Sequence, residues 1–368
     1  MKFKAAVLNK VGDPLEIEEI EMSDLEPRDV LVRIHASGLC HTDLEVIEGS
    51  LAYPLPIVLG HEGAGVVEAV GREVTLVAPG DHVVCSWNPH CGQCFYCEQD
   101  LPILCEPFSR HQPKGLLLDG RSRLSRKGSQ VHHFSVVSSH AQLCVVPESG
   151  AIPVPKEIPF DRACLIGCGV MTGVGAATRK APVQPGATVL VIGCGAVGLN
   201  VVQGAKLAGA GLIVAADVSD EKLDRAKAFG ADTRVDAGAP EALQLLRGMT
   251  QGRGPDYVFE AAGNEDAFRL ALEAVRPGGQ VVFLGKVNVN REVSFRWGSL
   301  MGEKRIVRSS YGAGRPRRDF PWLAREHLAG RLKLDELITR RIALEDINSG
   351  FDAIRRGETV REVVVFPQ

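Results

Sequence analysis

Two patterns of hydrophobic and polar positions divide the chain. Up to about residue 150, short runs of alternating apolar and polar residues are separated by turns rich in glycine and proline. Examples are Val30–His35, Gly65–Val70 and His82–Cys85. Alternation with a period of two is typical of strands that bury one face. This part of the chain is therefore predicted to be mostly β-structure.

From about Pro182, continuous apolar runs alternate with stretches of helical periodicity. Strands that alternate with helices form right-handed βαβ units around a parallel sheet. After about residue 312 the pattern is mixed again. We therefore predict an α/β fold, a doubly wound parallel sheet joined to a mostly β domain. The predicted strands and helices are Thr188–Ile192, Val197–Leu207, Leu212–Asp217, Glu221–Phe229, Tyr257–Ala261, Glu265–Val275 and Gln280–Leu284.

Composition and charge narrow the class of protein. The 368 residues are 45% hydrophobic and 24% charged, which suffices for two domains with separate cores. The net charge of −3 gives no positive field for nucleic acid or a membrane surface. No apolar run reaches the roughly 20 residues that span a bilayer. The N-terminal segment Met1–Leu8 lacks a signal-peptide layout. We expect a cytoplasmic protein, and we interpret the basic stretch Arg121, Arg123, Arg126 and Lys127 as a solvated loop face.

A glycine motif at residues 193–198 follows a predicted strand and opens a predicted helix. Gly193 permits the tight turn, Gly195 lets the backbone approach a pyrophosphate, and Gly198 lets the helix pack closely on the sheet. Asp217, 19 residues after Gly198, ends the next strand, where it favours a ribose hydroxyl over a 2′-phosphate. NAD is therefore favoured over NADP, although an ordinary strand–turn–helix connection is the alternative. The cofactor candidates of this segment are Gly193, Gly195, Val197, Gly198, Asp217 and Lys222.

Four of the ten cysteines are closely spaced, namely Cys91, Cys94, Cys97 and Cys105. Four thiolates on one short loop match a closed tetrahedral zinc site that stabilises the fold. Disulfides are the first alternative, and they are disfavoured in a reducing cytoplasm. An iron–sulfur cluster is the second, because thiolates suit both metals. We predict a structural zinc lobe at about residues 88–106.

Three further stretches place a cysteine or histidine beside glycine. They are Gly-Leu-Cys-His-Thr-Asp at 38–43, Gly-His-Glu-Gly-Ala-Gly at 60–65 and Gly-Cys-Gly at 167–169. Taken singly, each is more often a packed core residue or a turn. Their spacing does not establish that they meet in space.

Together these motifs identify a resemblance that covers nearly the whole chain. With the region His132–Phe134 and the stretch 167–177, the sequence resembles the zinc-containing medium-chain alcohol dehydrogenases, in particular the long-loop group that includes the formaldehyde-dehydrogenase-like enzymes. The resemblance implies a GroES-like catalytic domain formed by residues 1–169 and 313–368. A Rossmann NAD-binding domain would lie between these parts at residues 170–312, with the cofactor and the zinc in the cleft.

The resemblance also implies a second zinc and its chemistry. Cys40, His61 and Cys168 would hold a catalytic zinc, the Cys₂His set that is already known for alcohol dehydrogenase. The implied reaction is the reversible oxidation of a primary aliphatic or aromatic alcohol to an aldehyde. In it, a zinc-bound alkoxide transfers hydride to NAD. Thr42 would take the alcohol proton, and Asp43 would orient the histidine ligand.

Other positions receive roles by the same resemblance. Glu62 is implied as an acid near the metal, either approaching it or acting as a hydrogen-bond partner. His41 and Arg361 would meet the cofactor pyrophosphate, and Thr172 would line the nicotinamide. Homodimers or homotetramers are implied, with strands near 280–284 and 305–311 pairing between subunits. The apolar walls of the alcohol pocket would be Leu51, Trp87, Phe134 and Val287, the last beside the cofactor.

Three departures from the family pattern bear on the substrate. Glu45 stands where many members have the histidine that ends the proton path. The segment between Glu48 and Pro54 is shorter than in the glutathione-linked enzymes and lacks their acidic pair. Ser109 replaces their arginine. We therefore expect free primary alcohols, with Trp87 disfavouring branched ones. The alternatives are a glutathione- or mycothiol-dependent formaldehyde dehydrogenase and a catalytically silent, zinc-stabilised binding protein.

Overall fold

A computed structural model describes residues 1–288 and 290–367. The chain divides into two compact units. One, here called the β-rich unit, contains Met1–Cys168 and the residues from Arg315 onward. The other, the α/β unit, is Gly169–Gly314.

The strands are numbered in chain order. They are β1 (Lys2–Leu8), β2 (Glu16–Met22), β3 (Asp29–Gly38), β4 (Ile57–Val58), β5 (Glu62–Val70), β6 (His82–Cys85), β7 (Leu124–Arg126), β8 (Ser129–His133), β9 (Leu143–Pro147), β10 (Ala151–Pro153), β11 (Thr188–Ile192), β12 (Leu212–Asp217), β13 (Thr233–Asp236), β14 (Tyr257–Glu260), β15 (Gln280–Phe283), β16 (Arg305–Arg308), β17 (Ile338–Ile342) and β18 (Arg361–Val365).

The α-helices are numbered in the same way. They are α1 (His41–Ile47), α2 (Phe95–Glu98), α3 (Glu106–His111), α4 (Phe160–Leu165), α5 (Met171–Gly175), α6 (Ala196–Leu207), α7 (Asp220–Phe229), α8 (Ala242–Gly248), α9 (Glu265–Ala274), α10 (Pro316–Leu328) and α11 (Ile347–Arg355). No helix of the described chain is both long enough and apolar enough to cross a membrane.

The β-rich unit is built from a closed barrel and a larger sheet. Strands β1, β2, β7, β8 and β4 close the barrel, and the second sheet runs β10–β6–β5–β3–β18–β17 with β9 paired to β3. In that sheet β3 is antiparallel to β5, and Gly38 pairs with Glu62. The end of one strand therefore lies beside the start of the other. Strand β18 also pairs with β3, through Val363 opposite Gly38, so the C-terminal segment returns to the same end of β3.

The α/β unit contains one parallel sheet. Its strand order is β13–β12–β11–β14–β15–β16, the doubly wound order with the first strand of the unit at the centre. The central strands are buried on both faces, as near-continuous apolar runs predict. The predicted strands and helices between residues 188 and 284 match the observed ones within one residue at each end, and the strand predicted near 305–311 ends at Arg308. The α/β fold class is confirmed. Strand β13 and helices α5 and α8 were not predicted.

One interpretation of the sequence is wrong for part of its range. The basic stretch at residues 121–127 is not solvated throughout, because the side chain of Arg123 is only 4% exposed. Its Nε donates to Asp29 at 2.6 Å, and its Nη2 donates to Asp119 at 2.8 Å. A buried guanidinium is tolerated because both carboxylates satisfy it. Arg123 thus ties the residues before β7 to the start of β3.

Candidate active site and zinc centres

Four potential ligands from three distant parts of the chain meet in the β-rich unit. The thiols of Cys40 and Cys168, a ring nitrogen of His61 and a carboxylate oxygen of Glu62 all lie within 4.8 Å of one another. Cys40 ends the connection from β3 into α1, and His61 immediately precedes β5. Cys168 lies in a π-helical turn, Ile166–Val170, that follows α4. Such turns are frequent at functional sites.

Glycines allow these residues to approach one another. A side chain at position 38 would place its Cβ 2.4 Å from an oxygen of Glu62, a distance that a real Cβ does not reach. A side chain at position 167 would meet the carbonyl oxygen of Cys85 at 3.0 Å. The glycines beside the cysteines in the sequence therefore have a packing reason. They let strands β3, β5 and β6 and the turn that carries Cys168 converge.

Asp43 supports this group from behind. Its Oδ1 lies 3.3 Å from Nδ1 of His61 and accepts the backbone N–H of Gly60 at 2.9 Å. Its Oδ2 accepts the backbone N–H of Cys40 at 3.1 Å. The carboxylate therefore fixes two of the potential ligands at once. With Nδ1 engaged in this way, Nε2 of His61 is the nitrogen available to a metal.

The electrostatics of the group follow from its burial. A hydrogen bond from Cys168 lowers the pKa of Cys40 well below its ordinary value, although burial opposes the shift. Burial lowers the pKa of His61, but Asp43 and the Cys40 thiolate outweigh it and raise that pKa well above its ordinary value. Burial raises the pKa of Glu62 to about 7, against the Arg361 guanidinium, whose Nη2 is 3.5 Å from the carboxylate. A buried anionic thiolate of this kind favours a cationic ligand such as zinc.

The remaining predicted residues near this group lie on α1 and β18. His41 is exposed at the first position of α1, while Thr42 and Glu45 are half-buried on the same helix. Arg361 is buried at the start of β18 and donates to the carbonyl oxygen of Leu39 at 3.3 Å. The structure therefore places Arg361 beside Glu62, a pairing that the sequence did not indicate.

The four closely spaced cysteines form a second potential metal group. The thiols of Cys91, Cys94, Cys97 and Cys105 lie within 4.8 Å of one another. The backbone N–H of Cys91 donates to Sγ of Cys105 at 3.3 Å, and that of Glu106 donates to Sγ of Cys94 at 3.4 Å. The hydrogen bond from Glu106 lowers the pKa of Cys94 to about 7. Four thiols held in this way suit one tetrahedral zinc.

The glycine motif opens the central helix of the α/β unit. Gly193 has φ +90°, and a Cβ there would lie 2.6 Å from the backbone nitrogen of Ala262. A Cβ on Gly198 would lie 1.8 Å from the carbonyl oxygen of Gly193. Gly195 caps α6, and a Cβ on it would meet nothing within 4 Å, so the helix N-terminus faces open space. The site matches one that binds a pyrophosphate through backbone N–H groups.

Asp217 ends β12 beside this motif. It accepts the backbone N–H of Cys194 at 2.7 Å on Oδ2 and that of Ser219 at 3.1 Å on Oδ1. A carboxylate has about four lone-pair sites, so it can still accept hydrogen bonds from a ribose. The other cofactor candidates of the same unit, Thr172, Val197, Lys222 and Val287, are half-buried.

An aromatic side chain borders His61, one of the potential ligands, and further aromatic residues pack in the same core. Phe134 is fully buried, and its ring meets that of His61 edge-on at a centroid distance of 5.4 Å. Tyr53 packs against Phe134 at 5.1 Å, and its hydroxyl is hydrogen-bonded to Gln112. Trp87 and Leu51 are half-buried at the edge of the same core. Tyr53 was not predicted as a residue of this region. The feature of the sequence that could have indicated it is an aromatic residue in the shortened segment before Pro54.

A recess of about 740 Å³ in the β-rich unit is a separate feature. Its lining includes Arg28, Glu73, Cys91 and Arg317, but not Cys40, His61 or Cys168. It therefore lies beside the four-cysteine lobe and away from the other potential metal group.

Comparison with known proteins places this geometry in a family. Residues 26–156 match the alcohol dehydrogenase GroES-like domain, and residues 196–329 match the zinc-binding dehydrogenase domain. The chain is 39% identical to the class-3 alcohol dehydrogenase of Cereibacter sphaeroides and 37% identical to the S-(hydroxymethyl)glutathione dehydrogenase of Paracoccus denitrificans, each over 100% of both chains. The crystal structure of benzyl alcohol dehydrogenase from Acinetobacter calcoaceticus superimposes with a TM-score of 0.94 at 30% identity, over 100% of both chains. The resemblance recognised in the sequence is thereby confirmed: this chain belongs to the zinc-dependent medium-chain alcohol dehydrogenase family.

Proposed function

We propose that this enzyme reversibly oxidises free primary alcohols, aliphatic or aromatic, to aldehydes with NAD. The observation that carries the proposal is the buried Cys40, His61 and Cys168 group, backed by Asp43 and bordered by the aromatic ring of Phe134. We further propose that it acts in the cytoplasm as a homodimer or homotetramer.

The residues present fit a catalytic zinc. Two thiols and one imidazole are soft and borderline donors that suit zinc, and they converge from separate elements with the thiolate of Cys40 already favoured. Cys40, His61 and Cys168 would hold the metal. When bound, zinc supplies a Lewis acid that stabilises negative charge on an alcohol oxygen. The lobe formed by Cys91, Cys94, Cys97 and Cys105 would hold a structural zinc.

The chain's own side chains supply the rest of the reaction. Asp43 keeps the imidazole of His61 oriented through its contact at Nδ1. Thr42, half-buried next to Asp43 on α1, would accept the proton that leaves the alcohol. Glu45, one helical turn further along α1, would pass that proton to solvent in place of the histidine of other family members. Glu62, paired with Arg361, would adjust the charge beside the ligands.

The α/β unit would bind the dinucleotide, in keeping with the proposed domains 1–169 with 313–368 and 170–312. The helix N-terminus at Gly195 would take the pyrophosphate, and Asp217 would take the adenosine ribose. A carboxylate at that position repels a 2′-phosphate, which supports NAD over NADP. The other proposed contacts to the cofactor from this unit are Thr172, Gly193, Val197, Gly198, Lys222 and Val287.

An apolar, aromatic substrate pocket supports alcohols with a hydrophobic arm. Phe134, Trp87 and Leu51 would form walls of this pocket within the β-rich unit, and Tyr53 is added by its contact with Phe134. Aromatic walls stack favourably on aromatic rings. The benzyl alcohol dehydrogenase that superimposes on the chain supports an aromatic alcohol as one substrate.

A second candidate is oxidation of the formaldehyde adduct of a thiol, glutathione or mycothiol. Its support is the identity to enzymes named class-3 alcohol dehydrogenase and S-(hydroxymethyl)glutathione dehydrogenase. Two features argue against this candidate. The segment after Glu48 is shortened, and Ser109 occupies the position of the family arginine. Arg110 is adjacent to Ser109 and exposed, so a cation is available there to an anionic thiol.

NADH formation decides between these candidates. Purified enzyme is mixed with NAD and one free alcohol, namely ethanol, butanol or benzyl alcohol. In separate assays it is mixed with NAD and formaldehyde, either alone, with added glutathione or with added mycothiol. Turnover of the free alcohols supports the proposal, and benzyl alcohol is expected to have the highest kcat/KM. Turnover only with a thiol adduct would support the second candidate. No turnover from a preparation that holds only one zinc ion per chain would favour a silent binding protein.

A further inference from the structure

A buried polar chain continues behind Asp43. Ser37, Ser139 and His140 are fully buried in the β-rich unit. The hydroxyl of Ser37 lies 2.7 Å from that of Ser139 and 2.9 Å from Nδ1 of His140. On the other side of the ring, Nε2 of His140 lies 3.8 Å from Oδ1 of Asp43, which is too far for a hydrogen bond, and this buried nitrogen has no hydrogen-bond partner among the described residues. Neither serine nor this histidine has been assigned a role above.

The imidazole of His140 is fixed in place. The backbone N–H of His140 donates to the carbonyl oxygen of Leu59 at 3.0 Å. The backbone N–H of Ser139 donates to the carbonyl oxygen of Gly60 at 2.9 Å. A Cβ on Gly60 would lie 2.5 Å from the backbone nitrogen of His140 and 2.7 Å from its Nδ1. The ring of Phe351 packs edge-on at 5.9 Å on another side. His140 is thus packed against the segment that leads into His61.

The direction of the hydrogen bonds follows from the partners. If the Ser37 hydroxyl donates to Nδ1 of His140, the proton of the neutral ring is on Nε2 and faces the Asp43 carboxylate. The opposite tautomer would aim a lone pair at that carboxylate in a water-free interior, which is unfavourable. A protonated ring would present the same N–H. In each acceptable arrangement, His140 directs a donor at Asp43.

We propose that His140 is a positioning residue for the catalytic zinc: through the electrostatic contact of its Nε2–H with Oδ1 of Asp43 at 3.8 Å, it helps to hold that carboxylate where it orients His61. The proposal rests on the zinc assignment made under Proposed function. Asp43 would then be restrained from the helix side by the N–H of Cys40, from the β5 side by that of Gly60, and from behind by His140. Partners of this kind, one step removed from the ligands, typically change metal affinity or activity by about 10–100-fold.

The variants separate the electrostatic contact between the Nε2–H of His140 and Asp43 from packing around the ring. Leucine at position 140 would fill much of the space without a donor. Glutamine carries an amide N–H at about the reach of Nε2, and it can still accept from Ser37. The control is Phe351→Leu, which loosens the packing around the same ring and leaves its N–H in place.

The test measures zinc release from the holoenzyme to a chromogenic chelator, together with kcat and KM. The kinetic phase of zinc release that is missing in the Cys168→Ser variant is assigned to the catalytic zinc. We expect that phase to be about tenfold faster in H140L, with kcat reduced and KM for the alcohol little changed. H140Q is expected to restore most of the rate, and F351L to release zinc as the unmodified enzyme does.

Two results would overturn the proposal. One is release from H140L at the unmodified rate, and the other is equally fast release from H140L and H140Q, which would assign His140 to packing alone. If H140L does not fold, Ser37→Ala decides. That variant is expected to speed the same phase, and an unchanged rate would refute the proposal. A single zinc per chain in the unmodified enzyme would instead refute the underlying zinc assignment.

Discussion

Nδ1 of His61 and Oδ1 of Asp43 lie 3.3 Å apart in the interior of the β-rich unit, where both side chains are buried. The same Asp43 carboxylate accepts the backbone N–H groups of Cys40 and Gly60. One acidic residue thereby sets the ring orientation of one potential zinc ligand and the backbone position of another. A change at Asp43 should therefore be felt at the metal and not at the fold alone.

We expect Asp43→Asn to lower kcat/KM for the alcohol by about 10–100-fold and to speed zinc loss, because the amide keeps the shape but weakens the hold on His61. Steady-state kinetics and zinc analysis check this. The matched control is Asp81→Asn, since Asp81 accepts a turn N–H from Ala78 at 2.9 Å. Equal kinetics for the two variants would remove Asp43 from the site.

The four-cysteine lobe should behave as a structural centre. We expect Cys97→Ser to lose one zinc per chain and to lower Tm by roughly 10 °C. The reason is that losing a structural metal costs about 3–5 kcal/mol, and each kcal/mol shifts Tm by about 2–4 °C. Calorimetry and elemental analysis provide the readout. Gln93→Ala, an exposed neighbour in the same loop, should change neither quantity. An unchanged zinc content in the serine variant would argue against a metal at the lobe.

Cofactor choice should depend on the charge of Asp217. In Asp217→Asn the repulsion of a 2′-phosphate and the strong acceptor for the ribose are both lost. We expect the ratio of kcat/KM for NAD over NADP to fall at least about tenfold, which corresponds to about 1.4 kcal/mol. Asp232→Asn is the control, because Asp232 accepts a strand N–H from Ile213 at 2.7 Å in the same unit. A ratio that stays constant would place the discrimination elsewhere.

The pocket walls should set the preference for primary alcohols. Trp87→Ala removes a bulky ring, so the kcat/KM of a branched secondary alcohol is expected to rise about tenfold relative to its primary isomer. Phe108→Leu tests packing alone, since the ring of Phe108 lies 6.3 Å from that of Trp87. If both variants shift the ratio equally, Trp87 does not shape the pocket.

The pH dependence of the free energy of unfolding should contain a contribution from His133. Burial lowers its pKa from 6.5 to about 3, with a further lowering by Arg123, and its Nε2 accepts the Arg123 backbone N–H at 3.2 Å. The unfolded chain takes up this proton below about pH 6.5 and the folded chain does not. The free energy of unfolding therefore falls as the pH falls from about 6.5 to 3, by about 1.4 kcal/mol per unit from this residue.

Urea unfolding at pH 7, 6 and 5 checks this contribution in His133→Gln, which keeps an acceptor for Arg123. We expect the loss of stability between pH 6 and pH 5 to be smaller in the variant by about 1 kcal/mol. Parallel pH profiles for the two proteins would show that His133 does not resist protonation in the folded state.

Local patterns predicted the elements well and the convergence of side chains poorly. Continuous apolar strands and the glycine motif identified the α/β unit because both depend on local requirements. The apolar strands reflect burial, and the glycines reflect a tight turn. The pairing of β3 with β5 brings residues 40 and 61 together, and no spacing in the sequence indicates that register. The resemblance to a family supplied the grouping that the residues alone did not.

The residues that sequence reasoning missed share one property. Tyr53, His140 and the Arg123–Asp29 pair lie in segments that read as ordinary loop or strand, and each gains its role from a partner distant in sequence. Such contacts depend on tertiary packing, which overrides local signals. The Glu62–Arg361 pair is a further example, since almost 300 residues separate its members.

The zinc content of the purified enzyme tests the central claim most directly, measured by elemental mass spectrometry in the unmodified chain and in Cys168→Ser. The account predicts two zinc ions per chain in the first and one in the second, with activity lost and the fold kept by circular dichroism. One zinc ion per chain in both proteins, or two in both, would contradict the assignment of Cys40, His61 and Cys168 as the catalytic metal site.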